Sequence, residues 1–172
     1  MFVTEQLRNT LQEEAVRLGG DGVVLDISES KDFQLMKTVV QRGNGEHPPS
    51  DGSHSVRVHY TGRLMTGEIF DSSRTRGKPL TFVLGAGQVI RAWDVGIATM
   101  TRGEHALLLC SPEYGYGHRA AGPIPASSQL LFDVEVLDWH ERNLVVERLP
   151  SMMCYGAVVM AVLIYLRWTH AI

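Results

Sequence analysis

The sequence predicts an α+β fold in which an antiparallel sheet wraps around a single helix, with a further helix near each end of the chain. Two observations support the prediction of the sheet and its single helix. Six short segments have the apolar, β-branched or alternating composition of strands, and Gly, Pro or Asn stands between several of them. Segment 89–100 instead has helical periodicity, with Ile90, Trp93, Ile97 and Met100 three or four residues apart. Strands in series with one helix inserted favour an α+β domain.

The predicted strands are 35–41, 56–61, 69–70, 80–84, 106–110 and 130–137. Segment 56–61 has the clearest pattern, because Val56, Val58 and Tyr60 alternate with Arg57 and His59. Successive side chains of a strand point to opposite faces, so this segment has one apolar face.

Three segments between the strands have the composition of connections. Residues 43–53, GNGEHPPSDGS, are rich in residues that adopt turn dihedrals and interrupt strand pairing. Residues 66–67 are expected to form a turn, and the polar residues 28–33 are expected to connect the N-terminal segment to the first strand.

Residues 4–18 have the pattern of an amphipathic helix. Its apolar side consists of Val3, Leu7, Leu11, Ala15 and Leu18. Thr4 is expected to cap the start, and Gly19 and Gly20 are expected to end the helix. Two partners remain open for the apolar side: the neighbouring domain, or a second copy of the chain. The predicted N-terminal unit is 1–33.

Charge and cysteine usage exclude some functional classes. The chain has 16 Lys and Arg against 19 Asp and Glu, without a polybasic run, so nucleic acid is not an expected partner. Cys110 and Cys154 lie far apart without metal-ligand spacing, and two unpaired thiols in a reducing compartment are expected. No hydrolase or metal-binding motif is present in the sequence, so neither a metal nor a cofactor is predicted.

The C-terminal part has a different character. Residues 152–166 contain no charged residue and are apolar on every side of a helix. Extended through Trp168, which suits a headgroup zone, segment 152–168 is predicted to anchor the chain in a membrane after a linker at 141–151. Because the N-terminus has no signal-like pattern, the expected arrangement is a single pass with the preceding domain in the cytosol. The alternative is a buried core helix.

Aromatic residues are concentrated near the predicted turns. They are Tyr60, Phe70, Phe82, Trp93, Tyr114, Tyr116 and Phe132. Each of them alone is more often a core residue than a site residue. Together they are suited to an apolar pocket with a few polar groups, as a small apolar ligand needs.

Five motifs occur in a recognisable order: VHYTG, FDSS, VLGAGQVIRAW, SPEYGYG and an IP followed by LLFDVEVL. Over about 35–139 the chain closely resembles the FKBP family of peptidyl-prolyl cis/trans isomerases. The resemblance implies an isomerase domain at 34–140, with a pocket for a prolyl ring between sheet and helix.

The resemblance also implies which residues form this pocket. The substrate- and drug-binding positions are Tyr60, Phe70, Asp71, Arg76, Phe82, Val89, Ile90, Trp93, Tyr116, Ile124 and Phe132. Those implied to carry catalysis are Asp71, Tyr116, Trp93, Phe70 and Phe132. Departures from the family pattern occur at Leu80, Gln88 and Pro123, and they bear on substrate preference and drug affinity.

The function implied by the resemblance is rotation of X–Pro bonds in protein substrates, without a cofactor. Macrolides of the tacrolimus and rapamycin kind are expected to bind in the same pocket. Two alternatives use the fold without this reaction: a non-catalytic binding module, and a membrane-bound scaffold or chaperone.

Overall fold

A seven-stranded antiparallel sheet forms the body of the computed structural model, which describes residues 2–142. The strands are β1 (Val24–Asp26), β2 (Leu35–Gln41), β3 (His54–Leu64), β4 (Ile69–Ser72), β5 (Leu80–Val83), β6 (His105–Cys110) and β7 (Leu130–Glu141). The helices within the same residues are α1 (Phe2–Arg17), α2 (Arg91–Ala98) and a 3₁₀ turn at Pro112–Tyr114.

Strand β3 organises one half of the sheet. The strand order is β1-β2-β6-β7-β3-β4, and β5 also pairs with β3. One edge of β3 pairs with β7 from His54–Glu141 to Leu64–Leu130, and its other edge pairs with β5 and then β4. The predicted alternation in this strand is confirmed, since Val56, Val58 and Tyr60 are buried.

Helix α2 packs against one face of the sheet, as predicted. Its buried side includes Trp93 and Ile97, which join one core with side chains of β3, β6 and β7. Gly96 permits the close approach, because a Cβ atom there would lie 2.8 Å from Leu108 Cδ1. The helix is shorter than the predicted segment 89–100 at both ends.

Helix α1 covers the opposite face of β2 and β6. Leu11 and Ala15 are buried against Met36, Leu107 and Leu109 in a second apolar cluster. Neighbouring strand residues such as Leu35 and Leu108 belong to the α2 side. Strands with both faces covered are apolar throughout, and this is why β6 reads as a continuous apolar run. Of the two partners left open, the neighbouring domain is therefore confirmed.

Three details of the N-terminal prediction were wrong. The helix begins at Phe2, so Thr4 lies within its first turn instead of capping it. Leu18 follows the helix and is 37% exposed, so it is not part of the buried side. Strand β1 was not predicted, because three residues are too few for a periodic pattern. The end of the helix agrees, with Gly19 in the left-handed region at φ 93°; the side chain of Val3 lies outside the described part.

The last strand extends further than the predicted segment 130–137. Strand β7 continues through Asp138 and His140 to Glu141, the first residue of the predicted linker, because β3 pairs with it that far. No helix within residues 2–142 is long and apolar enough to cross a membrane. The rest of the linker, the predicted apolar helix at 152–168 and Cys154 lie outside the described residues.

Candidate active site

Trp93, in the first turn of α2, lies at the centre of an aromatic cluster. Its side chain is 4% exposed. The ring centroid of Trp93 is 4.7 Å from that of Tyr60, 5.5 Å from Phe132 and 5.8 Å from Phe82. Phe70 extends the cluster by an edge contact with Phe132 at 5.7 Å. The residues come from β3, β4, β5, α2 and β7, so four strands and the helix are needed to assemble them.

A polar group borders this cluster on one side. The Tyr60 hydroxyl donates to Asp71 Oδ2, and Arg76 Nη1 donates to Asp71 Oδ1. Arg76 Nη2 also donates to the Tyr60 hydroxyl at 2.9 Å. The three side chains therefore form a closed ring of hydrogen bonds that fixes the carboxylate at the edge of an apolar surface.

The environment keeps this group in one protonation state near neutral pH. Burial opposes ionisation of Asp71, but the hydrogen bonds from Tyr60 and Arg76 outweigh it and hold the pKa of the carboxyl below its usual value. Burial first, and then the bond to Asp71, raises the pKa of Tyr60 to about 12. Asp71 is thus an anion and Tyr60 a neutral donor, and neither is suited to exchanging protons with a substrate.

Two further segments border the cluster. Val89 and Ile90, before α2, pack against it while remaining partly exposed. The Ile90 amide N–H precedes the helix and donates to no acceptor within residues 2–142. Ile124 is 4% exposed and Tyr116 is 44% exposed. Partial burial, and then the negative charge of Asp71, raises the pKa of Tyr116, so its hydroxyl also stays protonated and lies within the field of Asp71.

Several residues support the site that the sequence analysis did not assign to it, although Gln88 was named there as a departure from the family pattern. A Cβ atom on Gly62 would lie 2.5 Å from Phe70 Cζ, so the Phe70 ring requires glycine on β3. The Asp94 carboxylate accepts bonds from the amides of Gly85 and Gly87 at 2.9 and 3.1 Å. Gln88 Oε1 accepts a bond from the Val83 amide at 3.0 Å. The turn before Ile90 is therefore fixed by side chains whose partners are local in sequence.

The structure brings together most of the residues named from the sequence. The aromatic cluster and the Asp71 group are contiguous through Tyr60. Tyr114 belongs to the same buried core, but it lies on the 3₁₀ turn, beneath the Arg91 guanidinium. Cys110 is a free, buried thiol as predicted, and burial raises its pKa to about 12, so it is not a nucleophile near neutral pH.

Comparison with known families agrees with this geometry. A family model described as FKBP-type peptidyl-prolyl cis-trans isomerase matches residues 45–137. The chain belongs to this family. The matched residues contain α2, β3 to β6, most of β7 and the aromatic cluster. The match makes this an enzyme domain of the peptidyl-prolyl cis-trans isomerase class.

Individual FKBP relatives differ in length. Peptidyl-prolyl cis-trans isomerase Fkbp12 of Drosophila melanogaster is 52% identical over 96 residues, which are 55% of this chain and 88% of the relative. FK506-binding protein 59 of the same organism is 43% identical over 119 residues, 69% of this chain but 27% of the relative. The chain thus spans about a quarter of this longer relative.

A solved FKBP structure has the same fold. The crystal structure of AtFKBP13 matches with a TM-score of 0.58 and 38% identity, and the match covers 66% of this chain and 96% of the other. The shared architecture is an antiparallel sheet packed on a helix.

Proposed function

We propose that this chain accelerates X–Pro rotation in protein substrates by binding the twisted amide in the aromatic pocket around Trp93. The observation that carries the proposal is the continuous surface of Tyr60, Phe82, Trp93 and Phe132, bordered by the fixed Asp71 carboxylate. A buried aromatic surface with one polar edge suits a prolyl ring attached to a polar amide.

The chemistry of the reaction explains why such a pocket suffices. No covalent bond is made or broken, and the barrier of about 18–20 kcal/mol is the loss of amide resonance. In the twisted amide the carbonyl is less polarised, so leaving water costs less for the twisted form than for the planar form. An apolar pocket therefore binds the twisted state more tightly, and such differential binding lowers a barrier.

Five residues of the pocket have assigned roles in this scheme. Trp93 and Phe132 hold the prolyl ring while the preceding carbonyl rotates. The Ile90 N–H and the Tyr116 hydroxyl donate to carbonyls of the flanking backbone, because both donors lie at the partly exposed border. Asp71 stays ionised and orients the electric field at the rotating carbonyl, so no general acid or base is needed.

Macrolides are proposed as ligands of the same pocket. The relative FK506-binding protein 59 carries FK506 in its name. A macrolide that resembles a twisted prolyl amide matches the apolar surface and the two border donors. Tacrolimus and rapamycin are therefore expected to compete with prolyl substrates. Leu80, half-buried against the pocket, offers less contact than an aromatic side chain and is expected to weaken this binding.

Replacing Phe70 and Asp71 together by alanine tests this function. The double variant loses one wall and the fixed carboxylate, so we expect kcat/KM for an X–Pro peptide to fall by at least tenfold. Glu68→Ala is the matched control, because Glu68 is exposed in the same hairpin. A protease-coupled assay measures turnover, and circular dichroism checks folding. An unchanged kcat/KM in the folded double variant would reject the site, whereas an inactive wild-type chain would favour the non-catalytic binding module.

We further propose that segment 152–168 tethers the domain to a membrane, with the domain on the cytosolic side. Its support is the sequence MMCYGAVVMAVLIYL, which lacks a polar face, followed by Arg167 and Trp168, which suit an interface. Both apolar clusters of the described domain are formed by its own sheet and helices.

Membrane fractionation tests the tether. We expect the 172-residue chain to pellet with membranes and to resist carbonate extraction, because a spanning segment stays in the bilayer at high pH. A variant that ends at residue 150 is the control. It retains all of β7, which ends at Glu141, and should stay in the supernatant. A 172-residue chain that is monodisperse without detergent would contradict the tether.

A further inference from the structure

The two proposed hydrogen-bond donors of the pocket lie on separate segments. Ile90 directly precedes Arg91, the first residue of α2. Tyr116 follows the 3₁₀ turn, which ends at Tyr114. Binding one substrate backbone with both donors requires a fixed separation between these segments. The contact between Arg91 and Tyr114 is direct, because the Arg91 guanidinium lies over the Tyr114 ring at 4.6 Å.

Glu29 joins both partners from a third segment. Arg91 Nη2 donates to Glu29 Oε2, and the Glu29 amide donates to the Tyr114 hydroxyl at 3.1 Å. One residue therefore holds the start of α2 through its side chain and the 3₁₀ turn through its backbone. Glu29 lies outside residues 45–137, to which the family model extends.

The connection at residues 26–34, which carries Glu29, is itself firmly held. The Asp26 carboxylate accepts bonds from the Ser28 amide at 2.9 Å and the Phe33 amide at 3.0 Å. Ser28 is fully buried, and its hydroxyl accepts a bond from the Asp32 amide at 3.1 Å. The far end is anchored as well, because the Ser111 amide donates to the Gln34 carbonyl at 2.8 Å.

Backbone conformation supports the same conclusion. Lys31 and Phe33 have φ of 54° and 62°, in the left-handed region that residues other than glycine seldom adopt. Such conformations persist where the surrounding structure determines them. A side chain on this fixed connection loses less conformational freedom when it forms an ion pair than a side chain on a mobile loop. The ion pair of Glu29 is therefore better able to hold Arg91, and with it the start of α2, in place.

From these contacts we propose that Glu29 is a positioning residue of the isomerase: it holds the Ile90 amide and the Tyr116 hydroxyl at the separation that substrate binding needs. The proposal rests on the function proposed above for this pocket. Because the donors contact the flanking backbone in the planar and twisted states alike, losing their alignment should raise KM and leave kcat nearly unchanged.

Glu29→Gln in the 172-residue chain tests this role. The amide side chain keeps the size and the backbone bond to Tyr114 but removes the charge opposite Arg91. Both side chains of the pair are about half exposed, and such pairs have modest coupling. We expect KM for an X–Pro peptide to rise about two- to fivefold at low salt. At about 1 M NaCl, where the Debye length is ~3 Å, the difference should disappear.

Two controls separate positioning from a general effect. Glu13→Gln removes an exposed carboxylate on α1 and should leave KM unchanged. The exchange Glu29→Arg with Arg91→Glu restores an ion pair and should recover much of the wild-type KM. A wild-type KM for Glu29→Gln at low salt, an equal change in Glu13→Gln, or a lower melting temperature without a change in KM would each overturn the role of Glu29.

If instead the wild-type chain has no activity, the proposed function fails. A tacrolimus-binding assay on the same variants then decides the positioning role, and unchanged affinity would overturn it.

Discussion

Replacing Trp93 by alanine should cost about 3–5 kcal/mol of the free energy of unfolding and remove most of the turnover. The indole is 4% exposed and contacts Tyr60, Phe82 and Phe132, so its deletion leaves a large cavity. Deleting the indole also removes the surface on which we place the prolyl ring. Urea denaturation and the X–Pro peptide assay measure the two effects on one sample.

Two variants separate packing from catalysis. Trp93→Phe keeps an aromatic ring and removes an indole N–H that has no acceptor among residues 2–142, so much of the stability and activity should remain. Trp139→Ala removes a half-buried indole that lies beneath the Arg102 guanidinium at 4.4 Å and is not among the rings that contact Trp93. It should lower stability and leave kcat/KM unchanged. Equal kcat/KM for Trp93→Ala and wild type would contradict the assignment of Trp93 to the pocket.

Replacing Lys37 by methionine should destabilise the domain by about 3–5 kcal/mol. Lys37 Nζ lies 2.9 Å from Glu104 Oε1, and the two side chains are only 6% and 7% exposed. The same ammonium donates to the Thr99 carbonyl at the end of α2, at 2.8 Å. Without Lys37, a buried carboxylate loses its cation and a carbonyl loses its donor. Equilibrium urea denaturation measures the difference.

The expected loss of stability for Lys37→Met depends on the burial of its ion pair. An exposed ion pair is therefore the control. Arg42 pairs with Asp21 at 3.2 Å, but its side chain is 83% exposed. Arg42→Met should therefore change the free energy of unfolding by about 0–1 kcal/mol. Adding Glu104→Gln to Lys37→Met should recover part of the loss, because the amide oxygen can still accept the Thr101 bonds that Glu104 Oε2 accepts now. A loss below about 1 kcal/mol for Lys37→Met alone would contradict the network.

Periodicity predicted those elements whose side chains are buried in either of the two apolar clusters. The six strands and α2 were found because burial on one or both faces leaves a clear apolar pattern. Boundaries were less well predicted. The ends of β3 and β7 are polar, with His54 opposite Glu141, and they are strands because they pair with each other. Local composition does not indicate pairing between segments that are distant in the sequence.

The aromatic and acidic residues of the pocket could be named because their motifs resemble those of a known family. The residues that support them could not. Lys37 and Glu104 are separated by 67 positions, and Glu29 and Tyr114 by 85. Neither pair has a spacing that a helix or a hairpin would generate. The connection at 28–33 was predicted only as polar, whereas its Asp26 and Ser28 bonds make it a fixed part of the domain.

The pairing of β2 with β6 has a consequence for synthesis of the chain. Strand β2 ends at Gln41, and its main partner begins at His105. At about 5–20 residues per second, a ribosome needs several seconds to supply that partner. Helix α1 and strand β1 precede β2 in the chain, so they are the first elements that can cover Met36 during this interval. By packing on Met36, α1 can shield one face of β2 from other nascent chains before the sheet exists.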